Sequence, residues 1–270
     1  MTGFDSPLRR GTSYWSPGEI IREPGAMSGF PAQLSEPLGR LFPVGVIVAE
    51  LWSVVGIEVL RPEEIWDSEG FAPKRRRDFA GGRVCARRAL AEFGHDGVAL
   101  RRGADRRPIW PDGIVGSITH SGGYCAAAAA PARLIRAIGL DAERVGVERG
   151  LWPQICLPQE IDWLESLPEQ LRMTAATLIF SAKEALYKCL CGVGGGWLEF
   201  HDVAIRIAAP KLAENGIFLA ELLRSDNRGV SANRAFAGAF RIDSHLVMTG
   251  LALTAEDRPA EAGTRGVSAA

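Results

Sequence analysis

Two segments with the apolar periodicity of an α-helix, each accompanied by short strand-like segments, constrain the fold of this chain most strongly. The first begins at Pro73 and ends at Gly94, and its apolar stripe contains Phe79, Val84, Ala89, Leu90 and Phe93. The second spans 174–190, and one face of it carries Leu178, Ala182, Ala185, Leu186 and Cys189. One long helix in each half, with strands around it, predicts an α+β fold of two lobes.

The segments around these helices have the alternation or the β-branched content of strands. The apolar run at 44–59 is interrupted by glycine and predicts buried strands with a bend. Residues 113–130 predict a hairpin that turns at Ser121-Gly122-Gly123, and residues 134–145 predict a further strand. After residue 200, four short strand-like segments separated by turn residues predict an antiparallel sheet.

Changes in composition suggest the domain organisation. Residues 1–40 contain five prolines among glycine and serine, which predicts a loosely ordered arm. We assign residues 41–150 to an N-terminal lobe with the basic helix and the strand that ends in Asp141-Ala142-Glu143. Residues 151–255 form a C-terminal lobe with the second long helix. The polar residues 256–270 predict a disordered tail.

The composition excludes several classes of protein. The chain has 270 residues, of which 47% are hydrophobic and 23% charged, as in globular proteins and unlike disordered ones. The formal net charge of -1 gives no global attraction to nucleic acid or to an anionic membrane, so we expect neither as a partner. The five cysteines contain no CxxC pair and predict reduced thiols in the core. Because no segment resembles a signal peptide or a membrane span, we expect a cytoplasmic protein.

The first group of residues that suggests chemistry is cationic. Between Lys74 and Arg107 the chain carries eleven basic and only four acidic residues. Arg75 and Arg83 are eight residues apart, a little over two helical turns, so their side chains can point to one side and bind separate phosphates. A solvated basic face and a helix that binds nucleic acid are the alternatives, and the few aromatic residues among the arginines do not favour the latter.

The second group is acidic and follows an apolar strand. Asp141 and Glu143 are two residues apart, so in a strand their side chains project to the same face. Two carboxylates that close need a cation or a shared proton. Mg²⁺ prefers hard oxygen ligands and keeps waters that a substrate phosphate can replace. A metal site is therefore one interpretation, and a polar turn after a strand is the other.

Glu184, Lys188 and His120 are the remaining candidates. Glu184 and Lys188 are four residues apart on the second helix with Lys183 beside them, which suits a charged site or an ordinary helix-stabilising ion pair. His120 comes just before the glycine turn, where it would donate to a phosphate or ribose or make a structural hydrogen bond. A serine hydrolase is not favoured, because the sequence contains no GxSxG motif.

In the order in which these segments occur, the chain resembles the 4'-phosphopantetheinyl transferases of the enterobactin-synthetase and surfactin-synthetase type. The resemblance runs from about Leu41 to Leu253, and its matching segments are KRRRDFAGGRVCARRAL, RRPIWPDGIVGSITHS, IGLDAE and FSAKEALYK. It implies two similar lobes in a pseudo-dimeric arrangement, each a long helix packed on a mainly antiparallel sheet. Since one chain then supplies both lobes, we expect a monomer.

Members of this family transfer the 4'-phosphopantetheine group of coenzyme A to a serine of an apo acyl or peptidyl carrier protein and release adenosine 3',5'-bisphosphate. By this resemblance, the nucleotide and its phosphates would be bound by Arg75, Arg83, Arg106 and His120, with Lys183 and Lys188 near the diphosphate. Arg107 is a possible substitute for Arg106. The metal ligands would be Asp141, Glu143 and Glu184, holding Mg²⁺ or alternatively Mn²⁺.

The resemblance also implies catalytic roles. Glu184 would take the serine proton, directly or through water, or serve only as a metal ligand, and Lys188 would stabilise the leaving diphosphate oxygen. Two other functions use the same residues: a metal-dependent nucleotide or coenzyme A pyrophosphatase that activates water, and a non-catalytic coenzyme A-binding module. Whether the carrier serves fatty-acid, polyketide, nonribosomal peptide or siderophore synthesis stays open at this point.

Overall fold

The computed structural model describes residues 38–52, 55–207, 212–225 and 234–254 and confirms a mixed α+β architecture with antiparallel sheets. The α-helices are α1 (Pro62–Asp67), α2 (Pro73–Ala91), α3 (Trp152–Ile155), α4 (Pro158–Ser166) and α5 (Glu169–Gly192). Short 3-10 helices lie at Leu38–Leu41, Ile57–Val59, Arg149–Leu151 and Phe200–Asp202. The predicted arm, apart from its last three residues, and the predicted tail lie outside the described residues.

The first sheet has three antiparallel strands in the order β1-β3-β2. Its strands are β1 (Ile47–Trp52), β2 (Ile114–Ser121) and β3 (Tyr124–Pro131). The β2–β3 hairpin turns at Gly122 and Gly123, whose φ angles of 59° and 91° lie in the region that favours glycine. The predicted hairpin is therefore present at the predicted position.

The alanines of β3 explain how this sheet is packed on both faces. Residues 126–130 are all alanine and all fully buried, although alanine is a poor strand former. Two of the five alanines pack in the cluster beneath α2, and the other three pack in a cluster with residues of β4. Small side chains let both layers approach the strand closely, so tertiary packing overrides propensity here.

The second sheet has five antiparallel strands in the order β4-β8-β7-β6-β5. They are β4 (Ile135–Arg144), β5 (Val203–Ile207), β6 (Asn215–Leu222), β7 (Ala235–Ile242) and β8 (Leu246–Thr254). The long helix α5 packs against β4 and β8 and contributes the largest buried cluster of the described residues. The predicted series of strands after residue 200 is therefore present and antiparallel.

The strand β4 joins the C-terminal sheet. Its residues pair with β8, whereas the sequence assigned them to the N-terminal lobe at 41–150. The division at residue 150 and the pseudo-dimeric arrangement stay predictions. Of the predicted buried strands with a bend at 44–59, the described residues contain one strand, β1, which ends at Trp52, and a later 3-10 turn. Within the described residues, no helix is both long and apolar enough to cross a bilayer.

Candidate active site

Asp141 and Glu143 lie near the end of β4, at the place where the two sheets meet. Asp141 is opposite Thr249 of β8 and only 2% exposed, whereas Glu143 is half-buried. Residues two apart in a strand share a face, so both carboxylates point to the same side of β4. The strand β2 runs beside β4 and contacts it extensively.

The helix α5 brings two further charged side chains to these acids. The Lys188 ammonium donates to Asp141 Oδ1 at 2.6 Å and to the Leu140 carbonyl at 3.2 Å. Glu184 lies one turn earlier on the same helix and is half-buried. The charge of Asp141 contributes, after burial, to a raised pKa of Glu184, which places these two carboxylates in one electrostatic environment. Acids and bases that are distant in sequence therefore meet here.

The three carboxylates repel one another. Burial raises the pKa of Glu143 to about 7, with the charge of Asp141 as the next cause and Lys188 acting in the opposite direction. Like charges this close favour a proton or a bound cation. Three carboxylate groups offer the hard oxygen ligands that Mg²⁺ and Mn²⁺ prefer, so the chemistry of this donor set fits such an ion.

A complete coordination shell is not preformed. Across the described ranges, no three acidic, histidine or cysteine side chains are arranged as a ready metal site. The positive charge next to Asp141 is that of Lys188. The three carboxylates therefore suit a divalent cation because they are oxygen ligands and repel one another. Their oxygens are not already arranged around a common point.

His120, at the end of β2, faces the same region. Its Nδ1 lies 3.9 Å from a carboxylate oxygen of Asp78 on α2. Burial holds the pKa of His120 below its ordinary value of 6.5; Asp78 opposes this, while Lys188 and Arg75 add to it. Because all three charges act on the imidazole, the basic helix and α5 both flank His120. Arg75 is exposed, and its guanidinium carbon lies 4.8 Å from the centroid of the Phe71 ring.

The side chain of Arg83 is buried, unlike that of an arginine on the protein surface. It is 5% exposed, its Nε donates to the Leu100 carbonyl at 2.7 Å, and its guanidinium lies 4.1 Å from the centroid of the Phe79 ring. Burial lowers the pKa of Arg83 to about 10, so the group stays charged at neutral pH. Its Nε is bonded to the protein, so a contact of Arg83 with a ligand would use its two terminal nitrogens.

Arg106 and Arg107 are in different situations. Arg106 is exposed with a positive φ of 70°, and the structure places no described acid or other predicted ligand in contact with its side chain. Arg107 pairs with Asp105 at 2.6 Å and donates to the carbonyl of Cys191 at the end of α5. Arg107 therefore ties this loop to the helix, and the predicted role of Arg106 as a phosphate ligand stays a prediction.

Lys183 does not fit its predicted place near a diphosphate. It is 3% exposed, and its ammonium donates to Glu160 Oε2 at 2.8 Å, to the Ile155 carbonyl at 2.8 Å and to the Phe200 carbonyl at 2.9 Å. A lysine ammonium has three protons to donate, and all three have partners inside the protein. These bonds do not favour its predicted role as a ligand of coenzyme A, which stays a prediction.

A cavity of about 330 Å³ opens beside Glu184. Its lining includes the aromatic rings of Tyr187, Trp197 and Phe200, and the Tyr187 and Trp197 rings meet nearly edge to face at 5.5 Å. Sequence reasoning did not single out Trp197 and Phe200, because an aromatic residue after a glycine run carries no signal of its own. It also missed Thr119 and Ser181, whose hydroxyls donate to Asp141 at 3.4 Å and 2.8 Å.

Two family profiles match the chain on either side of the junction between the sheets. One, described as "4'-phosphopantetheinyl transferase N-terminal domain", matches residues 68–130, and the other, "4'-phosphopantetheinyl transferase superfamily", matches residues 137–236. The first range contains α2 and the β2–β3 hairpin to within one residue of its end. The second takes in nearly all of β4 and the whole of α5. The residues of the candidate site thus come from both matched ranges.

Three curated relatives are similar over most of the chain. The 4'-phosphopantetheinyl transferase Npt of Nocardia iowensis is 37% identical over 218 residues, which cover 78% of this chain and 97% of Npt. The 4'-phosphopantetheinyl transferase Svp of Streptomyces mobaraensis is 34% identical over 78% of this chain and 85% of its own length. PptT of Mycobacterium tuberculosis is 31% identical over 78% of this chain and 99% of its own length.

Proposed function

Because the chain belongs to the 4'-phosphopantetheinyl transferase superfamily, we propose that its clustered acids and bases carry out a divalent-cation-dependent transfer from coenzyme A to a carrier serine. The chain is a 4'-phosphopantetheinyl transferase, which moves the phosphopantetheine group of coenzyme A to carrier proteins. The cation, the residues and their roles are what the proposal adds. The observation that carries it is the contact of Lys188 with Asp141, beside Glu184.

The reaction needs a positioned hydroxyl, charge neutralisation and one proton acceptor. The serine oxygen attacks the β-phosphorus of coenzyme A, and the bond from that phosphorus to the bridging oxygen breaks. Adenosine 3',5'-bisphosphate leaves with the bridging oxygen and its electron pair. The serine proton goes to Glu184, directly or through water.

The remaining residues bind and orient. Asp141 fixes the position of Lys188, and the Lys188 ammonium donates to the leaving oxygen. Asp141, Glu143 and Glu184 would hold the cation, which when bound supplies positive charge to the diphosphate. The nucleotide phosphates are assigned to His120 and to the guanidinium groups of Arg75, Arg83 and Arg106. Lys183 is not part of this set.

We further propose a cytoplasmic monomer that acts on acyl or peptidyl carriers and binds neither nucleic acid nor membrane. All five cysteines are free thiols, and four of them are buried, which suits a reducing compartment. The net charge of -1 gives no general attraction to polyanions. The carrier, a folded protein, must reach the cleft beside Glu184.

The test is to mix the protein with apo acyl and apo peptidyl carriers, coenzyme A and Mg²⁺ and to measure intact carrier masses. We expect a phosphopantetheine adduct on serine that does not form when a chelator is present. Asp141→Asn should lower the rate by about a hundredfold or more, since it removes a charge that orients Lys188 and the cation. Asp96→Asn, at an exposed position, is the matched control and should behave as wild type.

Three results would contradict the proposal. Release of adenosine bisphosphate without a carrier protein would indicate a pyrophosphatase. Binding of coenzyme A without any product, with or without Mg²⁺, would indicate a binding module. An undiminished rate in Asp141→Asn would remove the acids of β4 from the mechanism.

A further inference from the structure

A row of hydroxyl groups joins β2 to β4, although these strands belong to different sheets. Alternate residues of β2 accept backbone N–H groups of β4 through their side-chain oxygens. The three bonds run from Leu140 N to Ser117 Oγ at 3.1 Å, from Ala142 N to Thr119 Oγ1 at 3.0 Å and from Arg144 N to Ser121 Oγ at 3.0 Å. Both series of numbers rise together, so the strands run parallel, with a hydroxyl between each pair of backbones. We call Ser117, Thr119 and Ser121 the hydroxyl ladder.

The ladder reaches the acids as well as the backbone. A hydroxyl has one proton to donate and two lone pairs that accept, so each group can bond an amide and a carboxylate at once. Thr119 Oγ1 donates to Asp141 Oδ1 at 3.4 Å, and Ser121 Oγ donates to Glu143 Oε2 at 3.3 Å. Ser117 touches neither acid in the structure. The ladder therefore contains one member that only joins strands and two that also contact carboxylates.

A second hydroxyl, from α5, holds the other oxygen of Asp141. Ser181 Oγ donates to Asp141 Oδ2 at 2.8 Å and lies 2.8 Å from Thr249 Oγ1. Thr249 in turn bonds the Ser181 carbonyl at 2.9 Å. The side chains of Thr119, Ser181 and Thr249 are all buried, so these bonds are sheltered from water. The Asp141 carboxylate is thus held by groups on β2 and α5, while Thr249 of β8 contacts Ser181.

We propose that the buried hydroxyls of Thr119 and Ser181 are positioning residues of this transferase, which hold the Asp141 carboxylate in one orientation between β2 and α5. This inference rests on the proposed role of Asp141 in binding the cation. Without the two hydroxyls, Lys188 would be left as the only described side chain that bonds this carboxylate. The carboxylate would then turn towards the lysine, and the cation would lose an oriented ligand. Ser117 serves only to join the strands.

The experiment compares Thr119→Val, which keeps the shape but removes the hydroxyl, with Thr119→Ser, Ser181→Ala and Ser117→Ala. Three quantities are measured: kcat and KM for carrier modification, Mn²⁺ affinity of the protein by electron paramagnetic resonance, and unfolding in urea. A hydrogen bond to a charged group corresponds to roughly tenfold or more in an equilibrium constant. We therefore expect Thr119→Val and Ser181→Ala each to lower kcat and Mn²⁺ affinity about tenfold. KM for coenzyme A should be unchanged.

The controls separate positioning from general damage. Thr119→Ser should restore both quantities, and Ser117→Ala should lower only the urea midpoint. Wild-type kcat and Mn²⁺ affinity in Thr119→Val would overturn the proposal. The proposal would also be overturned if Ser117→Ala lost as much kcat and Mn²⁺ affinity as Thr119→Val and if Thr119→Ser lost them too. The losses would then come from damage to the packing of β2 against β4. Should the wild-type protein fail to modify carriers, the proposed function fails, whereas the Mn²⁺ comparison still decides the inference.

Discussion

His120 is surrounded by charges from three elements. Asp78 and Arg75 of α2, Lys188 of α5 and Asp141 of β4 all act on the imidazole. Burial is the largest influence and favours the neutral form in the free protein. An incoming phosphate would favour the charged form, because a charge-assisted hydrogen bond is stronger than a neutral one. Binding of coenzyme A should therefore be accompanied by proton uptake at His120.

This predicts how the affinity for coenzyme A depends on pH. As pH falls from about 8 towards 6, more His120 is protonated, so wild type should gain affinity relative to His120→Gln. The phosphates of coenzyme A titrate in the same way with both proteins. The ratio of the dissociation constant of His120→Gln to that of wild type therefore reports only the contribution of the histidine. We expect that ratio to grow by up to about tenfold, as measured by calorimetry. A ratio independent of pH would show that His120 does not bind the phosphate in its charged form.

The two lysines of α5 show what helical geometry could and could not predict. Lys183 and Lys188 are five residues apart, which at 3.6 residues per turn separates them by about 140° around the axis. Glu184 and Lys188, four apart, share a face, and that face is the one that meets Asp141. The spacing alone therefore argued against placing both lysines in one site. Sequence could not predict that Lys183 meets Glu160, because that contact depends on the packing of α4.

At the scale of elements, the distance between α5 and β4 determines whether Glu184 faces Asp141. Gly139 of β4 lies directly against the backbone of α5, two residues before Asp141. A Cβ at Gly139 would lie 1.9 Å from the carbonyl oxygen of Ala185, the residue after Glu184. Since that atom is backbone, a side chain cannot be accommodated by a rotamer change, and the helix and the strand would have to move apart.

Gly139→Ala should therefore affect both stability and activity. Overpacking typically costs about 1–3 kcal/mol of unfolding free energy, measurable in urea. The carrier-modification rate of the folded protein should fall as well, because the acids of β4 move away from the charged face of α5. Gly150→Ala is the control, since a Cβ there meets nothing within 4 Å. A stable Gly139→Ala protein with wild-type activity would show that this contact does not set the site.

The local sequence pattern predicted the positions of the helices and strands well, but it did not predict which of them contact one another. The β2–β3 hairpin and the helices α2 and α5 depend on neighbours in sequence, so periodicity and turn glycines were sufficient to place them. The pairing of β4 with β8 joins residues more than one hundred positions apart, and nothing in the β4 sequence names its partner. Asp141 could thus be identified as a candidate ligand, while its contacts with Thr119 and Ser181 could not.

At the scale of the molecule, one arrangement occurs in both halves. Glu64 and Glu160 each occupy the third position of a short helix that begins with proline, and both are buried. Each accepts the N–H of the residue before its helix, Arg61 and Leu157 respectively, and an N–H from a distant segment, Leu100 at 2.9 Å and Ile205 at 2.6 Å. Each also binds a cation from the long helix of its half, Arg87 of α2 and Lys183 of α5. The recurrence agrees with the predicted similarity of the two lobes, which no repeat in the sequence revealed.

This correspondence makes Lys183 the counterpart of Arg87, a residue to which no ligand is assigned, and it leads to a prediction. Lys183→Met should leave the Glu160 carboxylate buried without a cation and lower the unfolding free energy by about 3–5 kcal/mol, as should Arg87→Met through Glu64. Urea unfolding measures both losses. Because Lys183 has no proton left for a ligand, the affinity of folded Lys183→Met for coenzyme A should equal that of wild type, by calorimetry under native conditions. The opposite pattern, intact stability with weakened binding, would return Lys183 to the diphosphate site that the sequence had suggested.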